Sequence, residues 1–108
     1  MTVESLAKEC GFEVICMPSP ERVPEGAYIG DLLSWVMGKA DSGNVWITIM
    51  SNINVIAVAT LTDVSCVVLA EGVTIDAEII SAAEAKGVNV LSSSNSAYAI
   101  AKQISGII

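Results

Sequence analysis

Two runs of this chain, Val45-Trp46-Ile47-Thr48-Ile49-Met50 and Val64-Ser65-Cys66-Val67-Val68-Leu69-Ala70, carry almost no polar break. Both are rich in β-branched or aromatic side chains, which fit a pleated strand. A strand that reads apolar at successive positions is one covered on both faces. From Ala27 onward such strands alternate with helical segments: Ala27–Gly30, Leu32–Ala40, Val45–Met50, Asn52–Thr62, Val64–Ala70, a helix to about Lys86, Val88–Leu91 and a last helix. The alternation predicts an α/β fold, with a mainly parallel sheet of about four to five strands and right-handed crossover helices. At 108 residues the chain suits a single domain over 1–108.

Local signals set the element ends. Thr2 is placed to cap a first helix over Met1–Cys10, and Gly11 to end it. Phe12–Met17 reads as a strand, and Pro18–Gly26, with all three prolines, as a surface loop. Asp31 is placed to cap the helix that sets Leu32, Leu33, Val36 and Met37 on one face. Asp41-Ser42-Gly43-Asn44 is a turn. Thr74 or Asp76 caps the helix that Gly87 ends, and Ser94 or Asn95 caps the last one. That helix turns Ala97, Ile100, Ala101, Ile104 and Ile108 inward. Asn52–Thr62 obeys neither period: Val55, Ile56 and Val58 favour a strand, Ala57 and Ala59 a helix. As a helix it would have to be buried nearly all round.

Composition sharpens this. Hydrophobic residues make up 53% of the chain and charged residues 16%, more apolar surface than a small monomer readily hides. Either a helix is buried on all sides or part of the surface meets a partner. Net charge is −7, and the five cations, Lys8, Arg22, Lys39, Lys86 and Lys102, are scattered. Neither nucleic acid nor an anionic membrane is therefore an expected partner. No apolar run reaches the ~18 residues of a membrane span. Glu4, Glu9 and Glu13 interrupt the start, so no secretory signal is read and a cytoplasmic location is expected.

Catalytic chemistry finds little to use. The chain has no histidine, no CxxC and no GxxxxGK[ST] motif. Metal sites on Cys/His spacing, Ser/His/Asp sets and Cys/His pairs are excluded, and no cofactor is implied. Cys16 and Cys66 lie in apolar strands as inert thiols, whereas Cys10 ends a polar helix and is the most accessible. In a parallel sheet, functional loops gather at the carboxyl ends of the strands. Here these hold Gly30-Asp31, Ser51-Asn52-Ile53-Asn54, Glu71-Gly72 and Ser92-Ser93-Ser94-Asn95.

Each loop has two readings. Gly30 and Asp31 face a ligand or are a strand end and a cap. Ser51, Asn52 and Asn54 bind a polar or phosphate group at a helix N-terminus, or Asn52 caps the helix and Asn54 is a buried, bonded amide. Ser94 and Asn95 cradle an anion or only cap, and Glu71 beside Gly72 repels one. Trp35 lies about 100° from Val36, off its helix's main apolar face, and with Trp46 is a candidate for an interface.

The segments Ala27-Tyr28-Ile29-Gly30-Asp31-Leu32-Leu33-Ser34-Trp35-Val36-Met37, Asn44-Val45-Trp46-Ile47-Thr48-Ile49 and Asn54-Val55-Ile56-Ala57-Val58-Ala59 resemble DRTGG-domain proteins. The likeness runs through Ala70-Glu71-Gly72 and Val88–Leu91 and covers about Ala27–Ile104. It implies an α/β fold similar to the N-terminal domain of HPr kinase/phosphorylase, with Asn52–Thr62 a helix. It also implies a regulatory domain that often pairs with itself. Such domains sit beside CBS domains in some pyrophosphatases and within long phosphotransacetylases, where another domain does the chemistry. Short stand-alone members resemble products found near hydrogenase and signalling genes. The family's Asp-Arg and Thr-Gly-Gly places hold Ser51-Asn52 and Ala70-Glu71-Gly72 here, so only Gly72 survives. No anion role passes to this chain through the missing arginine.

The expectation is a non-catalytic regulatory or interaction module, homodimeric. The alternative is a sensor that binds a nucleotide or phosphometabolite at the strand carboxyl ends.

Overall fold

The computed structural model describes all of residues 1–108 and gives one five-stranded sheet with helices on both faces. In chain order the elements are α1 (Val3–Cys10), β1 (Glu13–Cys16), β2 (Ala27–Ile29), α2 (Leu33–Lys39), β3 (Val45–Thr48), α3 (Asn54–Thr62), β4 (Cys66–Leu69), α4 (Ala77–Lys86), β5 (Val90–Ser92) and α5 (Ala97–Ile104). The strand order is β1-β5-β4-β3-β2. Strands β2 to β5 are parallel, and β1 joins β5 antiparallel. The α/β alternation and mainly parallel sheet therefore stand as read from the sequence.

The run from β2 to β5 always steps to the next strand in the same direction. Right-handed crossovers then put α2, α3 and α4 on one face. Trp46, Val67, Leu69 and Val90 point into that layer. Helices α1 and α5 cover the other face, against Val45, Ile47, Cys66, Val68 and Leu91. Every residue of β3 and β4 is buried, which is why both runs read as nearly unbroken apolar strings.

Asn52–Thr62 resolves into α3, a helix over Asn54–Thr62, but not one buried all round. Val55, Ile56, Val58 and Ala59 face the core, whereas Ile53 is 47% and Leu61 71% exposed. Asn54 is exposed rather than buried. Asp31 does not cap α2. That helix starts after Leu32 with no side-chain cap, and the Asp31 carboxylate accepts from the Thr48 hydroxyl and the Ile49 amide instead. On α2 only Val36 is fully buried, so Leu32 and Met37 lie outside the core. Ser96, not Ser94 or Asn95, caps α5 by accepting from the Ala99 amide, because β5 extends through Ser92. Asp76 caps α4, and Thr2 caps α1 through a reciprocal pair with Ser5.

Trp46 is completely buried, and its ring N–H donates to the Gly30 carbonyl at 2.9 Å. A side chain in that position reaches no partner, so Trp46 is a core residue and not part of an interface. Buried Asn89 pins the proline-rich loop to the sheet. It accepts from the Ser19 amide at 2.9 Å and donates to the Ser19 and Ser65 carbonyls at 2.7 and 3.0 Å.

Candidate functional site

The loops after β4 and β5 leave the sheet toward opposite faces, β4 feeding α4 and β5 feeding α5. Where neighbouring parallel strands diverge in this way, a crevice opens beyond their carboxyl ends. A pocket of about 390 Å³ occupies that place. Gly72, Val73 and Thr74 form one side, Ser92–Asn95 another, and Glu13, Ile15, Cys10 and Gly11 close it from the β1 edge.

The centre of the crevice is laced by backbone. The Glu71 amide donates to the Asn95 carbonyl at 2.8 Å and the Gly72 amide to the Ser93 carbonyl at 3.0 Å. The Ser93 amide donates to Leu69, the Val73 amide to Ala70, and the Asn95 amide to the Ser93 hydroxyl. Most of the amides that would hold an anion are therefore already committed. No Lys or Arg lines the pocket, and the Glu13 carboxylate does, accepting a long 3.4 Å bond from Ser92. The lining suits hydroxyl or amine groups better than a phosphate. Gln103 braces the wall by donating to the Cys10 carbonyl at 3.2 Å. Burial, and then the Glu9 charge, pushes the Cys10 thiol up, so it is not an activated nucleophile.

Ala70–Val73 is a tight turn closed by the Val73 amide on the Ala70 carbonyl, with φ of +61° at Glu71 and +71° at Gly72. Two successive left-handed residues define a type I′ turn, which glycine satisfies without strain. The turn geometry accounts for Gly72 without any ligand.

Of the residues predicted from sequence, Gly72, Ser94 and Asn95 meet in this pocket. Gly30, Asp31, Ser51, Asn52 and Asn54 do not line it. A Cβ on Gly30 would lie 2.8 Å from the Tyr28 ring, so packing accounts for that glycine. Asn52 accepts from the Asn54 amide at 2.9 Å, a local turn that consumes the first donor of α3. Glu13, Thr74, Ser92 and Ser93 line the pocket but were missed or not singled out. Glu13 arrives only because β1 pairs with β5, which no local signal announces.

A second concavity, about 350 Å³, lies on the outer surface between α3 and α4. Ile53, Ile56, Ala57, Thr60 and Leu61 line it from α3, with Ala82 and Lys86 from α4. Trp35 is 58% exposed on α2, the neighbour of α3 on its other flank, and Lys39 lies 5.3 Å from its ring centre. Nowhere do three or more His, Cys, Asp or Glu side chains converge as metal ligands, and no helix is long and apolar enough to cross a membrane.

The architecture is that of a small three-layer α/β domain with an antiparallel edge strand and a polar pocket at its strand-end crevice. The family model for the DRTGG domain matches residues 5–107, and the chain belongs to that family. The match takes in most of α1 and all of β1, beyond the reach of the sequence resemblance. One solved structure of like fold contains the CBS and DRTGG domains of the regulatory region of Clostridium perfringens pyrophosphatase, complexed with its activator diadenosine tetraphosphate. The TM-score is 0.79 at 14% identity, over 95% of this chain and 45% of that one. This chain thus spans less than half of the neighbour's length. None of the curated proteins matches it.

Proposed function

We propose that this chain is a regulatory module without catalysis of its own, working as a homodimer in the cytoplasm. The observation that carries the proposal is α3. From Ile53 to Thr62 it has no charged residue, yet the fold covers only one side of it. An uncharged helix that leaves Ile53, Ala57 and Leu61 exposed on its open side lowers its free energy when a partner covers them. Family membership supports a regulatory role, since the fold neighbour is part of a pyrophosphatase's regulatory region. Three free thiols, two of them buried, fit a reducing compartment. A protein from a signalling or hydrogenase-related system, as the family resemblance implies, is the alternative occupant of the same surface.

The strand-end pocket favours a second reading, a small-ligand sensor. The pyrophosphatase region binds a dinucleotide activator, and the crevice is the place where α/β sheets take ligands. In this chain the lining fits the nucleoside part of such a molecule rather than its phosphates.

Mass in solution, measured beside a thermal-shift screen of nucleosides, nucleotides, dinucleotides and phosphosugars, separates the two. A ligand at ~100 times its dissociation constant stabilises by ~2.7 kcal/mol, and each kcal/mol moves the midpoint of such a domain by roughly 4–8 °C. A dimeric mass with a flat screen supports the module. A monomer with a shift of that order supports the sensor.

A further inference from the structure

The outward sides of α3 and α4 carry two rows of the same spacing. One is Ile53, Ala57 and Leu61, the other Glu78, Ala82 and Lys86. Both helices cross between parallel strands on the same face, so they run in the same direction. Residues four apart stay on one side of a helix, and each row is about 12 Å long. All members are exposed except Ala82, which is half-buried. The groove between the rows has Ile56, Ala57 and Ala82 in its lining.

Each row is large, small, large about its centre. A two-fold axis lying in this surface, across both helices at Ala57 and Ala82, reverses both rows at once. Ile53 then meets Leu61 of the partner subunit, and the two Ala57 positions meet at the axis, where small side chains let helices approach. In the second row the charge runs negative, neutral, positive, so reversal brings Glu78 onto Lys86 of the partner subunit, twice per dimer. Within one chain these two residues stand two turns apart and do not pair. A chain of net charge −7 repels its own copy. A surface that is uncharged along one row and self-complementary along the other is one that two copies can share. No such pattern exists around Trp35, whose helix carries only Lys39.

We propose that the α3/α4 groove is the contact surface of a symmetric homodimer, with α3 and α4 of each subunit packed antiparallel on those of the other. This rests on the homodimer reading above and assigns its surface.

The test is sedimentation of the full chain as wild type, Glu78→Lys, Lys86→Glu and the double variant, with melting curves to verify that each folds. Each single change sets like charges face to face at both symmetric contacts and is expected to weaken dimerisation by about tenfold or more. The double variant restores opposite charges and is expected to return to near wild-type affinity. It still opposes both ends of the α4 dipole, so a merely structural effect would persist in it. Ala57→Cys in a Cys10→Ser background is expected to form an intersubunit disulfide on oxidation, since bridged Cα atoms lie within about 7 Å. Unchanged dimer affinity in all charge variants, without a crosslink, overturns this surface and leaves the homodimer reading standing. A double variant as weak as the singles overturns the pairing. A wild-type chain that is monomeric at every concentration overturns both.

Discussion

The Thr48 hydroxyl donates to the Asp31 carboxylate at 2.8 Å, tying the carboxyl end of β3 to the loop after β2. The same carboxylate oxygen accepts from the Ile49 amide at 3.0 Å, and the Thr48 oxygen accepts from the Met50 amide at 3.1 Å. A short polar relay thus closes the edge of the sheet.

Asp31→Ala removes the acceptor and leaves the hydroxyl proton of buried Thr48 without one, while the Met50 amide still donates to its oxygen. The expected loss is about 1–3 kcal/mol, read as a lower urea midpoint at unchanged slope. A variant as stable as wild type would mean that water replaces the carboxylate at no cost.

Glu71 sits at φ +61° in the turn, a conformation that favours glycine. A side chain in this region is strained by about 1 kcal/mol or more. Glu71→Asn, which tolerates the conformation, is expected to raise the melting midpoint by a few degrees. A lower midpoint would show that the Glu71 side chain holds the turn.

Thiol reactivity should be graded by burial. Burial pushes the Cys66 thiol up to about 12, and Cys16 is raised for the same reason. A thiol-reactive probe at neutral pH is expected to modify Cys10 slowly and the other two only after unfolding. Rapid labelling of Cys66 in the native protein would contradict this packing.

Asp63 links acid stability to the proline-rich loop. The Ser42 hydroxyl, donating at 2.6 Å, holds its carboxyl below the ordinary value; burial opposes this, and Arg22 at 3.0 Å adds to the lowering. A carboxylate depressed in the folded state contributes stability above its unfolded pKa and loses it as pH falls through the folded one. The loss belongs below about pH 4. It should be small, because the pair is exposed. Asp63 has φ +57°, which Asn tolerates and Ala does not. Asp63→Asn should flatten the acid limb of a stability profile, and Asp63→Ala should in addition lower stability at pH 7. Equal stability of the two at pH 7 would remove the backbone argument.

The sheet was legible because β3 and β4 are buried on both faces, so burial is written into every position of Val45–Thr48 and Cys66–Leu69. α3 was not, because its open side also carries apolar Ile53, Ala57 and Leu61 and no charge, so no clear period survives. The cap assigned to Asp31 failed since capping signals are local, whereas Thr48 is seventeen residues away. The α5 cap moved from Ser94 or Asn95 to Ser96 for a similar reason: in a run of five polar residues, Ser92–Ser96, strand length decides which one caps. Of the candidate site, Gly72, Ser94 and Asn95 followed from the rule about strand ends. Glu13 did not, because the pairing of β1 is a long-range event.

The two tryptophans stand in opposite surroundings, Trp46 sealed in the core and Trp35 more than half open beside Lys39. Their emission should therefore separate without any label. Trp46 fluoresces from an apolar site and shifts to the red only when the sheet comes apart. Trp35 is open to soluble quenchers from the start and, on the helix next to α3, loses that access when something settles against this layer. A Trp35→Phe variant leaves a pure unfolding signal, and the difference from wild type is a signal for association, so one cuvette distinguishes a chain that has come undone from one that has found a companion.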